Sequence, residues 1–181
     1  DDNETLPIFI FDEKILSELP KNDARVSFIH ELLSKIQTKL KENGKSLAVF
    51  HGEPKAIFEK LIQENNIKTV YTNHDYEPYA RKRDKEMNQL FVAKGISFLT
   101  SKDQVIFEKS EVVKDDGTPY VVYTPYSKKW KENFKKIKLV HYNSEDKLDK
   151  IAKHSYPFLS LSDIGFEKSN IKVSDFDVSE N

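Results

Sequence analysis

Short apolar runs divide the first hundred residues of the chain, at residues 6–11, 46–50, 68–72 and 96–100. Runs of this length without alternating polar positions are typical of strands that are covered on both faces. The segments between them are longer, and their apolar residues recur at steps of three and four, which is the spacing of an amphipathic helix. The pattern therefore predicts that strands and helices alternate along the chain.

The first helical segment carries a single apolar stripe, formed by Val26, Ile29, Leu33, Ile36 and Leu40. Asp23 can cap its start, and Gly44 stands where a left-handed residue would end it. Pro54 and Pro78 are predicted to open the next two helices, because the first helical turn tolerates a missing N–H, and a last helix is predicted after Pro125. This order predicts the α/β class: a three-layer α/β/α, Rossmann-like domain with a mostly parallel sheet and right-handed crossovers.

The regular pattern ends near residue 140. Residues 1–140 are predicted to form the α/β domain, and residues 141–181 an extended interdomain connector that packs in places on its own domain. The connector is rich in Asn, Ser, Asp, Glu and Lys, with isolated apolar groups such as Tyr156-Pro-Phe158. A total of 181 residues fits one domain with a tail.

The amino-acid composition excludes several kinds of protein and of functional site. With 29 basic and 30 acidic residues the net charge is −1, so no overall field attracts nucleic acid or a membrane. The absence of cysteine excludes disulfides, thiolate metal sites and a cysteine nucleophile. No apolar run approaches the ~18 residues of a membrane span, and the first residues lack the composition of a secretory signal. These features predict a cytoplasmic protein with no membrane partner.

The most informative segment follows the third predicted strand. Asp75 and Glu77 form a carboxylate pair there, and in an open α/β sheet ligands bind outside the carboxyl ends of the strands. Asp12 follows the first strand in the same way, and Phe11 could offer a flat surface to a ring. The alternative is that the carboxylates cap the helix after Pro78 and that the aromatic residue belongs to the core.

Other functional classes lack support in the sequence. His74, Asp75 and Glu77 could suggest a metal site, but the histidines show no ligand spacing. Glycine-rich phosphate loops and a nucleophile motif are absent, so no catalytic residue is assigned. Residues 127–138 combine lysines with Trp130, and we interpret them as a solvated lysine face with Trp130 and Phe134 turned inward rather than as a nucleic-acid site.

Two segments resemble one family. Residues 71–84 contain the pattern Asn-x-Asp-x-Glu-Pro-Tyr…Arg-Asp, and residues 117–130 read Gly-Thr-Pro-Tyr-Val-Val-Tyr-Thr-Pro-Tyr-Ser-Lys-Lys-Trp. Both resemble the amino-terminal domain of the DNA photolyase/cryptochrome family, at the spacing expected for it. The resemblance implies a domain that holds a light-harvesting antenna chromophore. Its excitation would pass to a catalytic flavin, which donates an electron to split a cyclobutane pyrimidine dimer.

The resemblance also implies which residues and cofactors to expect. The candidate cofactor-binding residues are Phe11, Asp12, Asp75, Glu77 and Arg81. Folate-type antenna sites often show Asn-Glu where this chain has Tyr79-Ala80, so a deazaflavin or flavin is expected rather than a folate. Catalytic FAD is expected only in a helical flavin-binding domain, which is absent from this sequence. That domain is the expected partner, and damaged DNA would be bound only by the full-length protein, a carbon–carbon lyase.

The chain also departs from the family pattern. Family members usually begin with a strand and an Arg-Arg-Asp-Leu-Arg-like loop, whereas residues 1–5 resemble the loop that enters the second family strand. A parallel sheet without its inner strand would expose unpaired backbone, so we expect the natural protein to contain that strand and its helix. Three alternatives stay open: a cryptochrome-type receptor fragment, a small nucleotide-binding α/β protein, and a chromophore-free interaction domain.

Overall fold

The computed structural model describes residues 4–138 and 140–171, which divide into two compact units. Among the described residues, the first unit comprises residues 4–61 and 143–171, and the second comprises the rest of residues 62–142. The elements are β1 (Ile8–Asp12), α1 (Glu13–Leu16), α2 (Ala24–Glu42), β2 (Ala48–Gly52), α3 (Pro54–Glu64), β3 (Thr69–Asn73), α4 (Pro78–Ala93), β4 (Ser97–Ser101) and α5 (Tyr123–Phe134), with short 3-10 helices at Lys109–Glu111 and Ser144–Lys150.

All four predicted strands are present, and each ends one or two residues later than predicted. In the first unit β1 pairs with β2 in parallel, starting with Ile8 opposite Ala48. In the second unit β3 pairs with β4 in parallel, starting with Thr69 opposite Ser97. Parallel neighbours require a crossover connection, which α2 provides in the first pair and α4 in the second. The predicted α/β class with parallel strands is therefore confirmed, with the strands arranged as two two-stranded sheets.

The buried face of α2 differs from the predicted stripe. Val26, Leu33 and Leu40 are buried in the core of the first unit, as expected. Ile29 and Ile36 are 39% and 48% exposed, so their assignment to the inner face was wrong. The predicted stripe contained apolar residues at steps of three and four along the helix. The members of it that are buried, at positions 26, 33 and 40, are seven residues apart. The two isoleucines lie beside these buried positions.

Polar side chains take part in the buried face of α2 because they bond backbone groups of other segments. Gln37 is buried, and its Oε1 accepts a 2.8 Å hydrogen bond from the backbone N–H of Leu47, just before β2. His30 Nε2 lies 2.9 Å from the backbone oxygen of Leu159. A buried polar group with a partner avoids the desolvation cost of an unpaired one. The inner face of α2 therefore includes polar residues, which a search for apolar spacing passes over.

The ends of α2 lie where the sequence signals predicted them, whereas the start of α5 and the presence of α1 differ from the prediction. Asp23 Oδ1 accepts from the backbone N–H of Arg25 at 2.9 Å, and Gly44 adopts a positive φ of 66° just beyond α2. Helix α5 begins at Tyr123 rather than after Pro125, since proline is tolerated in the first turn, where its missing N–H is not needed. The four-residue helix α1 was not predicted, because it is too short to show helical periodicity.

Residues 143–171, which are most of the described part of the predicted connector, belong to the first unit. Ile164 and Phe166 are buried in the same hydrophobic cluster as the inner face of α2. Backbone bonds add to this packing, because Thr5 N–H donates to Lys150 O at 2.8 Å and Ala152 N–H donates to Thr5 O at 2.9 Å. The last ten residues of the predicted connector, 172–181, lie outside the described residues. The domain boundaries stay a prediction.

The second unit has its own buried apolar residues, three of which lie on α4. Its buried members are Ala80, Met87, Phe91, Ile96 and Val112. The Phe91 ring packs against Phe98 of β4 with 5.2 Å between ring centroids. Among the described residues, no helix is long and apolar enough to cross a membrane.

Replacing Leu33 by alanine should lower the free energy of unfolding by about 2–5 kcal/mol, because it leaves a cavity in the core of the first unit. Ile36→Ala on the same helix is the matched control, and its effect should stay within about 0.5 kcal/mol because Ile36 is 48% exposed. Chemical denaturation followed by circular dichroism measures both. Equal losses in the two variants would mean that the inner face of α2 is misassigned.

Replacing Phe166 by alanine should cost about 3–5 kcal/mol, because its ring is buried in the core of the first unit. Ile171→Ala is the control, since Ile171 lies five residues on and is 43% exposed. The same denaturation experiment applies. If Phe166→Ala were as stable as the control, residues 159–167 would not be part of the folded unit.

Candidate functional site

The five candidate cofactor-binding residues lie in two groups. Phe11 and Asp12 end β1 in the first unit. Asp75 and Glu77 follow β3 in the second unit, and Arg81 lies in α4 just beyond its first residues. Each group therefore stands at or beyond the carboxyl end of a parallel strand, where α/β proteins place their ligands. The assignment of these residues to a cofactor stays a prediction.

In the first group both side chains have structural contacts. Phe11 is 4% exposed and packs edge-on against Phe9, with 4.9 Å between ring centroids. Asp12 is also buried, and its Oδ1 accepts a 3.0 Å hydrogen bond from the backbone N–H of Lys14 at the start of α1. The position of Phe11 matches the alternative interpretation of a core aromatic residue, and Asp12 caps α1, a helix that was not predicted.

In the second group the two carboxylates differ. Asp75 Oδ1 accepts a 3.0 Å hydrogen bond from the backbone N–H of Glu77, which fixes the turn into α4. Glu77 occupies the N-cap position of that helix, but its side chain makes no capping hydrogen bond. The capping alternative therefore describes Asp75 and does not describe the Glu77 carboxylate. The exposed Glu77 side chain can accept a hydrogen bond from a ligand.

The arginines of α4 lie close in sequence to acidic residues with which they can form ion pairs. Arg83 does so, with its guanidinium 2.9 Å from Asp84 Oδ1. Arg81 is exposed and lies four residues after Glu77, so the two side chains start from neighbouring positions on one side of the helix. An acceptor and a donor are thus available together at the start of α4.

His74 and Tyr76 take part in a polar network that the sequence did not reveal. His74 Nδ1 is 2.7 Å from Glu108 Oε1, and His74 Nε2 is 2.8 Å from Thr100 Oγ1. The phenol of Tyr76 donates to the same Glu108 oxygen. The Glu108 side chain is 12% exposed. Glu108 lies 34 residues beyond His74 in the sequence, and no local motif marks it.

This network has a defined charge state. Burial, together with the hydrogen bond to Glu108 and its charge, raises the pKa of the Tyr76 phenol to about 12. The hydrogen bonds from Tyr76 and His74 lower the pKa of Glu108 below its ordinary value. At neutral pH Tyr76 is therefore a neutral donor and Glu108 an ionised acceptor, which is the stronger form of such a bond.

The sequence analysis also considered helix α5 as a nucleic-acid site and the histidines as metal ligands. Trp130 stacks on Phe134 at 5.1 Å between ring centroids and meets Phe107 edge-on at 5.4 Å. Phe134 is 37% exposed, so it is less enclosed than predicted. Within residues 4–138 and 140–171, no group of three His, Asp or Glu side chains is placed to hold a metal ion.

Comparison with known proteins gives a consistent result. The family model for DNA photolyase matches residues 1–146. The deoxyribodipyrimidine photo-lyase of a Synechococcus species is 29% identical over 127 residues, which cover 70% of this chain and 26% of that protein.

Solved structures give the same family. A bacterial class III photolyase from Agrobacterium tumefaciens matches 66% of this chain and 24% of its own, with a TM-score of 0.56 and 28% identity. An archaeal photolyase from Sulfolobus tokodaii, solved with two FAD molecules, matches 62% of this chain and 26% of its own, with a TM-score of 0.55 and 27% identity. The chain thus spans about a quarter of the length of these relatives. Since the family model covers well over half of the sequence, this chain belongs to the DNA photolyase family.

Proposed function

We propose that this chain is the part of a DNA photolyase that binds the light-harvesting chromophore, and that the chromophore is a flavin or deazaflavin. The observation that carries the proposal is the position of Glu77 and Arg81, which follow a parallel strand at the start of α4. The Sulfolobus tokodaii relative supports the choice of ligand, since it was solved with two FAD molecules and described as implying a novel light-harvesting cofactor.

The chemistry of these side chains suits the polar edge of a flavin ring. That edge presents one N–H donor between two carbonyl acceptors. The Glu77 carboxylate makes no capping bond and can accept from the N–H, while the Arg81 guanidinium can donate to a carbonyl. Asp75 supports the arrangement by holding the Glu77 backbone at 3.0 Å. A bound flavin or deazaflavin would supply absorption of near-ultraviolet and blue light.

The sequence also assigns Phe11 and Asp12 to the chromophore. Both are buried, Phe11 within the core and Asp12 at the start of α1. We propose that they act by fixing the end of β1 and do not offer a free ring face for stacking. This refines the sequence-based expectation, in which Phe11 supplied a flat surface.

In the whole protein, the proposed role is to collect light for repair of cyclobutane pyrimidine dimers. The excitation would pass to catalytic FAD in a helical domain of the same protein, which would also bind the damaged DNA. The sequence contains a single tryptophan, Trp130, so it holds no tryptophan relay of its own. The proposed contribution of this chain is binding and orientation of the antenna. A cytoplasmic location stays a prediction from composition.

The Asp75→Ala, Glu77→Ala double variant should bind riboflavin, FMN or a deazaflavin more weakly than the wild type. The lost hydrogen bond from Glu77 to the ligand is worth about 0.5–3 kcal/mol, so the dissociation constant should rise at least about twofold. Glu77→Gln alone should account for part of the loss, because it leaves the Asp75 bond to the backbone in place. Titration with each ligand, followed by flavin fluorescence and by quenching of Trp130, measures the affinity.

The matched control is Glu86→Gln, which removes another exposed carboxylate of α4 that faces Lys82 at 4.0 Å. Its affinity should equal that of the wild type. Thermal melts of each variant show whether the fold is retained. Equal affinity in the wild type and the double variant would refute the site, and a wild type that binds none of the ligands would refute the antenna role.

A further inference from the structure

Glu108 contacts His74 and Tyr76, the two residues that alternate in the sequence with Asp75 and Glu77. Its Oε1 contacts His74 at 2.7 Å and receives the phenol of Tyr76. His74 directly precedes Asp75, and Tyr76 lies between Asp75 and Glu77. A single carboxylate oxygen, on a side chain that is largely buried, therefore holds the segment 74–77 through every second side chain. Glu108 itself belongs to a different part of the second unit, before the 3-10 helix.

Residues at the end of β4 also hold the segment 74–77 in place, through two contacts with His74. The backbone N–H of His74 donates to Ser101 O at 2.7 Å, which continues the pairing of β3 with β4 by one residue. His74 Nε2 also contacts Thr100 Oγ1 at 2.8 Å. The imidazole is thus held between the end of β4 and Glu108. Removal of the Glu108 contact leaves the segment attached on one side only.

The backbone beside Glu108 is strained, and several hydrogen bonds hold it in this conformation. Lys109 has φ of +38°, a left-handed value that is costly for a residue with a side chain. The Glu108 N–H donates to the Glu111 carboxylate, and Glu111 N–H donates to Glu108 O at 2.8 Å. Lys102 Nζ binds both Glu111 oxygens, at 2.8 and 2.9 Å. Strain of this kind persists only where surrounding contacts over-determine it, and such positions cluster at functional sites.

We propose that Glu108 is a positioning residue, which holds the segment 74–77 so that the Glu77 carboxylate, supported by Asp75, faces the chromophore. The proposal rests on the proposed function, since it concerns the same site. Glu108 acts through His74 and Tyr76 and does not touch the ligand. Without the charge of Glu108, the phenol and the imidazole lose the ionised acceptor that they share, and the segment is held less tightly.

The first test needs no ligand and uses Glu108→Gln in the whole chain. In the wild type the Tyr76 phenol should ionise near pH 12, because burial and Glu108 raise its pKa. In the variant its pKa should fall, because the charge of Glu108 is removed while the burial of the phenol remains. NMR of ring-labelled tyrosine follows this titration, with Tyr76→Phe to assign the signal. Exchange of the His74 amide should also accelerate by about tenfold or more, while the Phe91 amide in α4 keeps its rate.

The second test measures riboflavin affinity by fluorescence. Glu108→Gln should weaken binding by about five- to tenfold, because part of the binding energy is then needed to order the segment. The control is Asp103→Asn, since Asp103 Oδ2 bonds Asn73 Nδ2 at 2.9 Å, one residue before the segment. This control should change the affinity by less than about twofold. A melt of each variant confirms that the second unit stays folded.

The two tests separate the role of Glu108 from the antenna role of the chain. An unchanged Tyr76 titration and an unchanged His74 exchange rate in Glu108→Gln would overturn the proposal. It would also be overturned if the segment loosened while riboflavin affinity stayed the same. A wild type that binds no flavin would refute the proposed function, whereas the shifts in Tyr76 and His74 would still support Glu108 as the residue that positions the segment.

Discussion

The parallel pairing of strands is the constraint on which the rest of the molecule depends. A parallel neighbour can be reached only through a crossover, so α2 must return the chain from β1 to β2, and α4 from β3 to β4. The crossover sends both strands of a pair in one direction and gathers their carboxyl ends at one edge of each sheet. The residues that follow each strand therefore stand at the edge of the sheet where α/β proteins place their ligands, and the proposed site after β3 lies at such an edge.

Much of this could be predicted from the sequence, because it depends on local physics. The strands show as short apolar runs, and Asp23 and Gly44 mark the ends of α2 through interactions within a few residues. Long-range contacts could not be predicted in this way. Ile36 is exposed while its neighbour Gln37 is buried and bonds Leu47, ten residues away, and spacing of apolar residues carries no information about such a bond.

The same distinction explains what sequence reasoning found and missed at the candidate site. Asp75 and Glu77 were identified because they lie beside the strand that positions them. Glu108 was missed because it joins their neighbours across 34 residues, from a segment with no regular pattern. A single sequence shows the residues that face a ligand more readily than the residues that hold them in place. Supporting residues must be found from hydrogen-bond partners and burial.

The two carboxylates after β3 also show how a site can be combined with a stable turn. Asp75 bonds the backbone of Glu77, so the local structure is satisfied without the Glu77 side chain. Glu77 stands at the amino terminus of α4, where the helix dipole favours negative charge even without a capping bond. An uncommitted carboxylate is therefore tolerated at this position at little cost. The division of roles between neighbouring acids leaves the proposed binding group exposed while the Asp75 bond keeps the helix start fixed.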